Sequence, residues 1–282
     1  MNAELQLAQQ ALERELQRYA LLAVAYSGGV DSAFLAWAAY QTLGDRMIAV
    51  IADSASLARA DFAEAIAFAE QHHIPLRIIR TDELSKPAYV RNDAQRCFHC
   101  KDELFRAMEG LMRELPGEAT LAYGRNVDDA GDFRPGQQAA ALHKVAAPLV
   151  DAGLTKNLIR ALAREAGLSV AEKPAAACLS SRIEYGREVT AEALQQVENA
   201  EAALRAIGFR QLRVRHHGEI ARIEVAREEL ASLNIDLALL DRITTAVREA
   251  AGFKFVTLDT AGYRTGSMNA LLPVSSLFSH AS

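Results

Sequence analysis

The chain has 282 residues, half of them hydrophobic, and a formal net charge of −5. That length fits one large domain or two smaller ones. The mildly acidic balance counts against nucleic acid as the partner, and no apolar run approaches the ~20 residues of a membrane span.

The opening MNAELQLAQQALEREL has the spacing of an amphipathic helix rather than of a secretion signal, so a cytoplasmic location is expected. An apolar run at 20–26 predicts a buried strand, and 32–43 a helix. A second strand is expected at 47–53, a helix at 61–73 with Phe62, Ile66 and Ala69 on one face, and a third strand within 75–84. A helix at 101–115, a fourth strand at 119–126 and a helix at 154–168 follow. Thr155 suits the cap of that last helix and Gly167 its end. Strands alternating with helices predict an α/β fold with a parallel sheet covered on both faces.

The pattern changes near residue 170. A loop at 172–186 precedes a long helix at 190–207, two strands at 209–217 and 219–225, helices at 226–232 and 237–251, and a last strand at 253–259. This α+β arrangement reads as a second, smaller domain, so 1–170 and 171–282 are the expected domains. The terminal LFSHAS is expected to fray.

Ser27-Gly28-Gly29-Val30-Asp31-Ser32 lies between the first strand and the first helix of the α/β pattern. Backbone N–H groups at such a turn and helix start form an anion site, and glycine lets the main chain approach a phosphate. The Gly-Lys-Ser/Thr of the Walker loop is absent, as is the GxGxxG spacing of dinucleotide binders. The ends of the second and fourth strands, Asp53-Ser54 and Gly124-Arg125-Asn126 with Asp128, Asp129 and Asp132, should fall at the same edge of the sheet. The only cysteines are Cys97, Cys100 and Cys178. An odd count is no disulfide framework, and Cys97-x-x-Cys100 has a chelating spacing. Arg213 and Arg215 alternate on a predicted strand and so share a face, where guanidinium forks suit phosphate or carboxylate.

SGGVDS resembles the pyrophosphate loop of the ATP pyrophosphatase (PP-loop) superfamily, whose domain is of the adenine nucleotide alpha hydrolase-like kind. Together with RCFHCKDELF (96–105), KPAAACLSSRIEYG (173–186), LRVRHHGEIARIEV (212–225) and LDTAGYRTGSMN (258–269), it resembles the LarE family across nearly the whole chain. Those are ATP-dependent sulfur transferases that make the nickel-pincer nucleotide of lactate racemase. The resemblance implies that ATP adenylylates a carboxylate of pyridinium-3,5-biscarboxylic acid mononucleotide, and that sulfur then displaces AMP to give a thiocarboxylate. It implies Ser27, Gly28, Gly29, Asp31, Ser32, Asp53, Ser54, Gly124, Asn126 and Asp128 around ATP, with Mg²⁺. Arg182, Arg213 and Arg215 would hold the phosphorylated substrate, with Asp31 and Cys178 catalytic.

For the sulfur source the resemblance leaves two routes. Cys178 matches a sacrificial cysteine that ends as dehydroalanine. Alternatively Cys97, Cys100 and Cys178 hold a [4Fe-4S] cluster with one open iron. The count of three cysteines is the reason to prefer the cluster, with zinc and His99 as a rival site. A small nucleotide substrate and a homo-oligomer are expected, with neither nucleic acid nor membrane as partner. The competing functions are a tRNA-thiolating PP-loop enzyme, an amidating synthetase of the NAD synthetase kind, and a nucleotide-binding regulator without turnover.

Overall fold

The computed structural model describes residues 2–131, 135–174, 177–233 and 235–264. Asp132, the end of LDTAGYRTGSMN and the terminal LFSHAS therefore lie outside the described residues. The chain divides into two compact units: Met1–Glu83 with Cys97–Ala176, and Leu84–Arg96 with Ala177–Ser282.

The first unit is α/β. After α1 (Ala3–Leu16), strands β1 (Leu22–Ala25), β2 (Met47–Asp53), β3 (Leu76–Arg80) and β4 (Thr120–Tyr123) form a parallel sheet of order β3-β2-β1-β4. Parallel neighbours need crossover helices. These are α2 (Val30–Leu43) and α3 (Arg59–Gln71), while α5 (Arg96–Met112) precedes β4. β1 is buried along its length, and its alternation fills two layers. Leu22 and Val24 pack with Phe34, Leu35, Met47 and Ile51 on one face, whereas Ala23 and Ala25 pack with Phe105, Met108 and Leu121 on the other. The path runs from β1 outward to β3 and then returns to β4 on the opposite side of β1. The carboxyl ends of β1 and β4 therefore flank the switch point where such sheets bind ligands.

Thr155 caps α8 (Lys156–Glu165) through a 3.3 Å bond from Leu158 N, and Gly167 follows with φ +69°. Two features differ from the sequence reading. α5 begins at Arg96, so Cys97 and Cys100 sit on its first turn. The short helices α4 (Pro87–Val90), α6 (Pro135–Leu142) and α7 (Pro148–Asp151) were not expected, although each opens on a proline, a known helix-start signal.

His143, just after α6, joins that helix to α5. Its Nδ1 lies 2.7 Å from Glu109 Oε1 and its Nε2 2.9 Å from Asp102 Oδ1. Burial pushes the imidazole pKa down, but the hydrogen bonds to Asp102 and Glu109 outweigh it and leave the pKa raised. The proton is thus held more tightly in the folded state. The resulting stability is complete below the unfolded value of about 6.5 and is lost as pH rises through the raised folded pKa. Urea midpoints measured across that window should fall with pH in the parent protein and less steeply in His143→Gln. Equal slopes would show that His143 does not carry the effect.

The second unit has β5 (Leu212–His217) antiparallel to β6 (Ile220–Val225), with β7 (Phe255–Leu258) parallel to β6. Gly218, at φ +70°, turns the hairpin. Helices α9 (Ala191–Ala206) and α11 (Leu237–Ala251) are capped by Thr190 and Asp236, and α10 (Arg227–Ser232) lies between β6 and α11. Ala200, Leu204, Val214, Ile223, Ile243 and Val247 form its core. Buried Asn92 fastens Leu84–Arg96 into this unit by donating to the carbonyls of Glu184 (2.8 Å) and Arg187 (2.9 Å). No helix among the described residues is long and apolar enough to cross a membrane.

Candidate active site

The loop after β1 is a braced turn. Ser32 Oγ accepts from Ser27 N at 3.1 Å, lies 3.1 Å from Ser27 Oγ and donates to Gly29 O at 3.1 Å. Gly28 must be glycine: its φ is +70°, and a Cβ there would stand 2.6 Å from Ala65 Cβ on α3. Gly29 is different. It is the N-cap of α2 with φ −77°, and an added Cβ would meet only Ser27 Oγ at 3.6 Å. The main chain at Gly29 therefore faces open space at the start of a long helix, where N–H groups favour an anion.

Gly124, at the end of β4, lies against the same helix start. A Cβ there would come within 2.7 Å of Ser32 N. The structure thus brings the Ser27–Ser32 loop and Gly124-Arg125-Asn126 together at the switch point. Asp31 Oδ1 is buried there without a hydrogen-bond partner. Burial pushes the Asp31 carboxyl up, and Asp129 adds to this. The Lys156 and Arg160 charges and a hydrogen bond with Asn126 pull against it, and the pKa stays raised. A carboxylate so placed suits a cation. Lys156 and Arg160 escaped the sequence reading, although their i, i+4 spacing puts them on one helix face.

Other expected ATP residues are engaged in holding the fold. Asp128 Oδ2 accepts from Lys156 N at 2.7 Å, which ties it to the start of α8. Asp53 pairs with Arg59 at 2.6 Å. Ser54 is buried with Ser56, and both hydroxyls donate to buried Glu83.

Cys178 precedes a short turn, Leu179–Arg182, in the second unit, and its thiol lies 3.0 Å from Ser180 Oγ. Burial pushes the thiol pKa up. The Arg96 charge, the Ser180 hydrogen bond and the Arg182 charge overcome this and bring it below the ordinary thiol value. Arg96 is fixed by Asn92 Oδ1 (2.5 Å) and Ser180 O (2.9 Å) and covers the Tyr185 ring. Cationic surroundings of this kind favour the thiolate, the reactive form.

The three arginines expected to hold substrate do not share one environment. Arg182 is buried, with Nε 3.1 Å from Glu201 Oε1 and Nη1 donating to the carbonyls of Ala177 and Cys178. Arg215 is buried and pairs through two nitrogens with Glu224 Oε2, at 2.9 and 2.7 Å. Arg213 is half-buried over the Tyr263 ring. Burial and the Arg182 charge hold its pKa below the arginine range, against Glu201 and Tyr263. A cation under that stress would be relieved by an incoming anion.

Cys97 is exposed and Cys100 partly so, both in the first unit, while Cys178 belongs to the second. Among the described residues no three His, Cys, Asp or Glu side chains are gathered so as to hold a metal ion.

No protein-family model matches the chain. It is 33% identical over 269 residues to the pyridinium-3,5-bisthiocarboxylic acid mononucleotide synthase of Lactiplantibacillus plantarum, which covers 95% of each chain. An uncharacterised Synechocystis protein is 39% identical, over 88% of this chain and 92% of its own. An uncharacterised Methanocaldococcus jannaschii protein is 25% identical, over 86% and 90%.

Proposed function

We infer, since this chain belongs to the LarE family, that it is an ATP-dependent sulfur transferase acting on a carboxylate of pyridinium-3,5-biscarboxylic acid mononucleotide. The observation that carries this reading is the 33% identity to the Lactiplantibacillus synthase, which spans 95% of both chains and so includes both units. The α/β unit with its loop at the switch point supports an ATP pyrophosphatase domain of the adenine nucleotide alpha hydrolase-like kind, expected over 1–170 and built from residues 1–83 and 97–176. Residues 84–96 with 177–282, in place of the expected 171–282, are then the substrate and sulfur-transfer domain, and the enzyme works in the cytoplasm as a homo-oligomer.

The β,γ-pyrophosphate of ATP rests on the Ser27–Ser32 loop, held by main-chain N–H groups around Gly29. Ser32 braces the loop. Because the Asp53 and Ser54 side chains are engaged with Arg59 and Glu83, the main chain at that strand end faces adenine or ribose. A carboxylate oxygen of the substrate attacks the α-phosphorus, pyrophosphate leaves, and an acyl adenylate forms. A carboxylate is a poor acyl donor, and the mixed anhydride supplies the missing leaving group. Mg²⁺ fits this site, because the bare Asp31 Oδ1 is a hard oxygen ligand; when bound it would neutralise phosphate charge.

The Cys178 thiolate then attacks the acyl carbon and AMP departs. Loss of the Cys178 α-proton with cleavage of its Cβ–Sγ bond releases the thiocarboxylate, which takes the bond's electron pair, and leaves dehydroalanine. Three thiols have the right chemistry for a [4Fe-4S] cluster. Cys97 and Cys100 belong to one unit and Cys178 to the other, and the sulfur-transfer step written here uses Cys178 alone. Incubation with ATP, Mg²⁺ and the biscarboxylate should release pyrophosphate and AMP and add one sulfur to the substrate. Absence of pyrophosphate release would overturn the reading.

Arg213 is the cation assigned to the substrate phosphate. A charge-assisted hydrogen bond contributes ~1.5–3 kcal/mol, so Arg213→Gln should weaken substrate binding roughly 10- to 150-fold. ATP affinity should be unchanged, and calorimetry of both ligands checks this. Arg215→Met should act instead on folding. It leaves Glu224 buried without its main partner, at about 3–5 kcal/mol, which a denaturation midpoint would register.

A further inference from the structure

Lys173 lies shortly before Cys178 in the chain, yet it belongs to the first unit. Its side chain is only 11% exposed, and Nζ sits 2.9 Å from Glu64 Oε2 and 3.4 Å from Asp61 Oδ1, both on α3. This part of α3 is the wall of the loop after β1. Ala65, next to Glu64, is the residue that forbids a Cβ at Gly28, and its carbonyl accepts from Tyr26 OH at 2.7 Å. The Lys173 carbonyl is held from the other side, where Arg160 donates to it at 2.7 Å and also to Ala171 O. The Arg160 charge is in turn felt by Asp31 in the loop. A lysine is thus anchored by its main chain beside the anion site, while its ammonium rests on two partly exposed carboxylates.

Resting on the reading that ATP occupies the Ser27–Ser32 loop, we propose that Lys173 is a further phosphate-binding residue, parked on Glu64 and Asp61 and transferred to the polyphosphate when ATP enters. The physical basis is competition for one ammonium. Polyphosphate carries more charge than two half-exposed carboxylates, and lysine has a flexible stem with freely rotating donors. Glu64 at 61% exposure holds its partner weakly, so the exchange is easy. The carboxylates keep the ammonium oriented and partly desolvated until ATP arrives.

The competition gives a test that a purely structural salt bridge would fail. Lys173→Gln and Glu64→Gln break the same ion pair. If the pair is only a strap, both variants should change ATP affinity in the same direction and to a similar extent. If Lys173 transfers to phosphate, they should act in opposite directions. Lys173→Gln should weaken ATP binding by roughly 10- to 150-fold, and Glu64→Gln should tighten it by about two- to five-fold. Lys173→Arg should retain most of the affinity. ATP titration calorimetry on the full chain, with AMP as a ligand lacking the β,γ-phosphates, gives the readout, and AMP affinity should be the same in all variants. Equal weakening in both Gln variants, or parent-like ATP affinity in Lys173→Gln, overturns the proposal while leaving the loop reading intact. Parent-like ATP affinity in a Gly29→Val control would overturn the loop reading, and the proposal with it.

Discussion

Cys178→Ser is expected to stop sulfur transfer while pyrophosphate release continues. The two half-reactions use different chemistry. On the proposed mechanism adenylylation uses the loop after β1 in the first unit, whereas thiolation uses a thiolate, and a serine hydroxyl is not ionised by the Arg96 and Arg182 charges that favour the thiolate of Cys178. Substrate should therefore accumulate as acyl adenylate or its hydrolysis product. In the parent protein, one turnover should lower the chain mass by the mass of one H₂S, as Cys178 becomes dehydroalanine, and Cys97→Ala should still complete that turnover. Protein kept free of oxygen is required for the comparison. Iron-bearing protein whose Cys178 stays intact over many turnovers, together with an inactive Cys97→Ala, would overturn the sacrificial route and restore the cluster.

Gly29→Val should abolish ATP binding in a protein that still folds. The extended φ of −77° and the open space around a Cβ at Gly29 mean that valine fits the scaffold. Its cost is that of a poor N-cap, ~1 kcal/mol. Its methyls would stand where phosphate must approach. Losing two charge-assisted bonds of ~1.5–3 kcal/mol each predicts a drop of roughly 10²- to 10⁴-fold in affinity. Gly28→Ala should do the reverse and damage the fold first. Left-handed backbone costs ~1–2 kcal/mol, and the collision with Ala65 adds about 1–3 kcal/mol. Thermal melts and ATP titration of the two variants separate ligand site from scaffold. Parent-like ATP affinity in Gly29→Val would remove the phosphate from this loop.

The parallel sheet was legible because each strand is a short apolar run closed by a turn, and β1 shows this most clearly. The loop after β1 was legible as a strand-to-helix turn because its glycines and serines lie between two apolar runs. The arginines were not. Sequence alternation places Arg213 and Arg215 on one face, but only the fold shows that Arg215 meets Glu224 across the hairpin and Arg182 meets Glu201 on α9. A buried charge is decided by partners distant in the chain. Ser54 was misleading for the same reason, since its partner Glu83 comes from the end of the next strand segment. Arg96 went unnoticed because a residue beside a Cys-x-x-Cys pair draws attention to the pair, whereas its charge acts on Cys178.

Leu84–Arg96 belongs to the unit that is otherwise made from the carboxyl-terminal part of the chain, so the polypeptide crosses between units three times. This bears on any attempt to shuffle these enzymes. A chimera joined once, near residue 170, would pair the Cys178 turn of one parent with Asn92 and Arg96 of the other. Arg96 bonds the turn's backbone at Ser180 and supplies a charge favouring its thiolate, while Asn92 holds Arg96 and the backbone just past the turn at Glu184. Such a hybrid should assemble only when the parents match at both places. A working transplant must carry 84–96 along with everything after 176, as a two-piece graft.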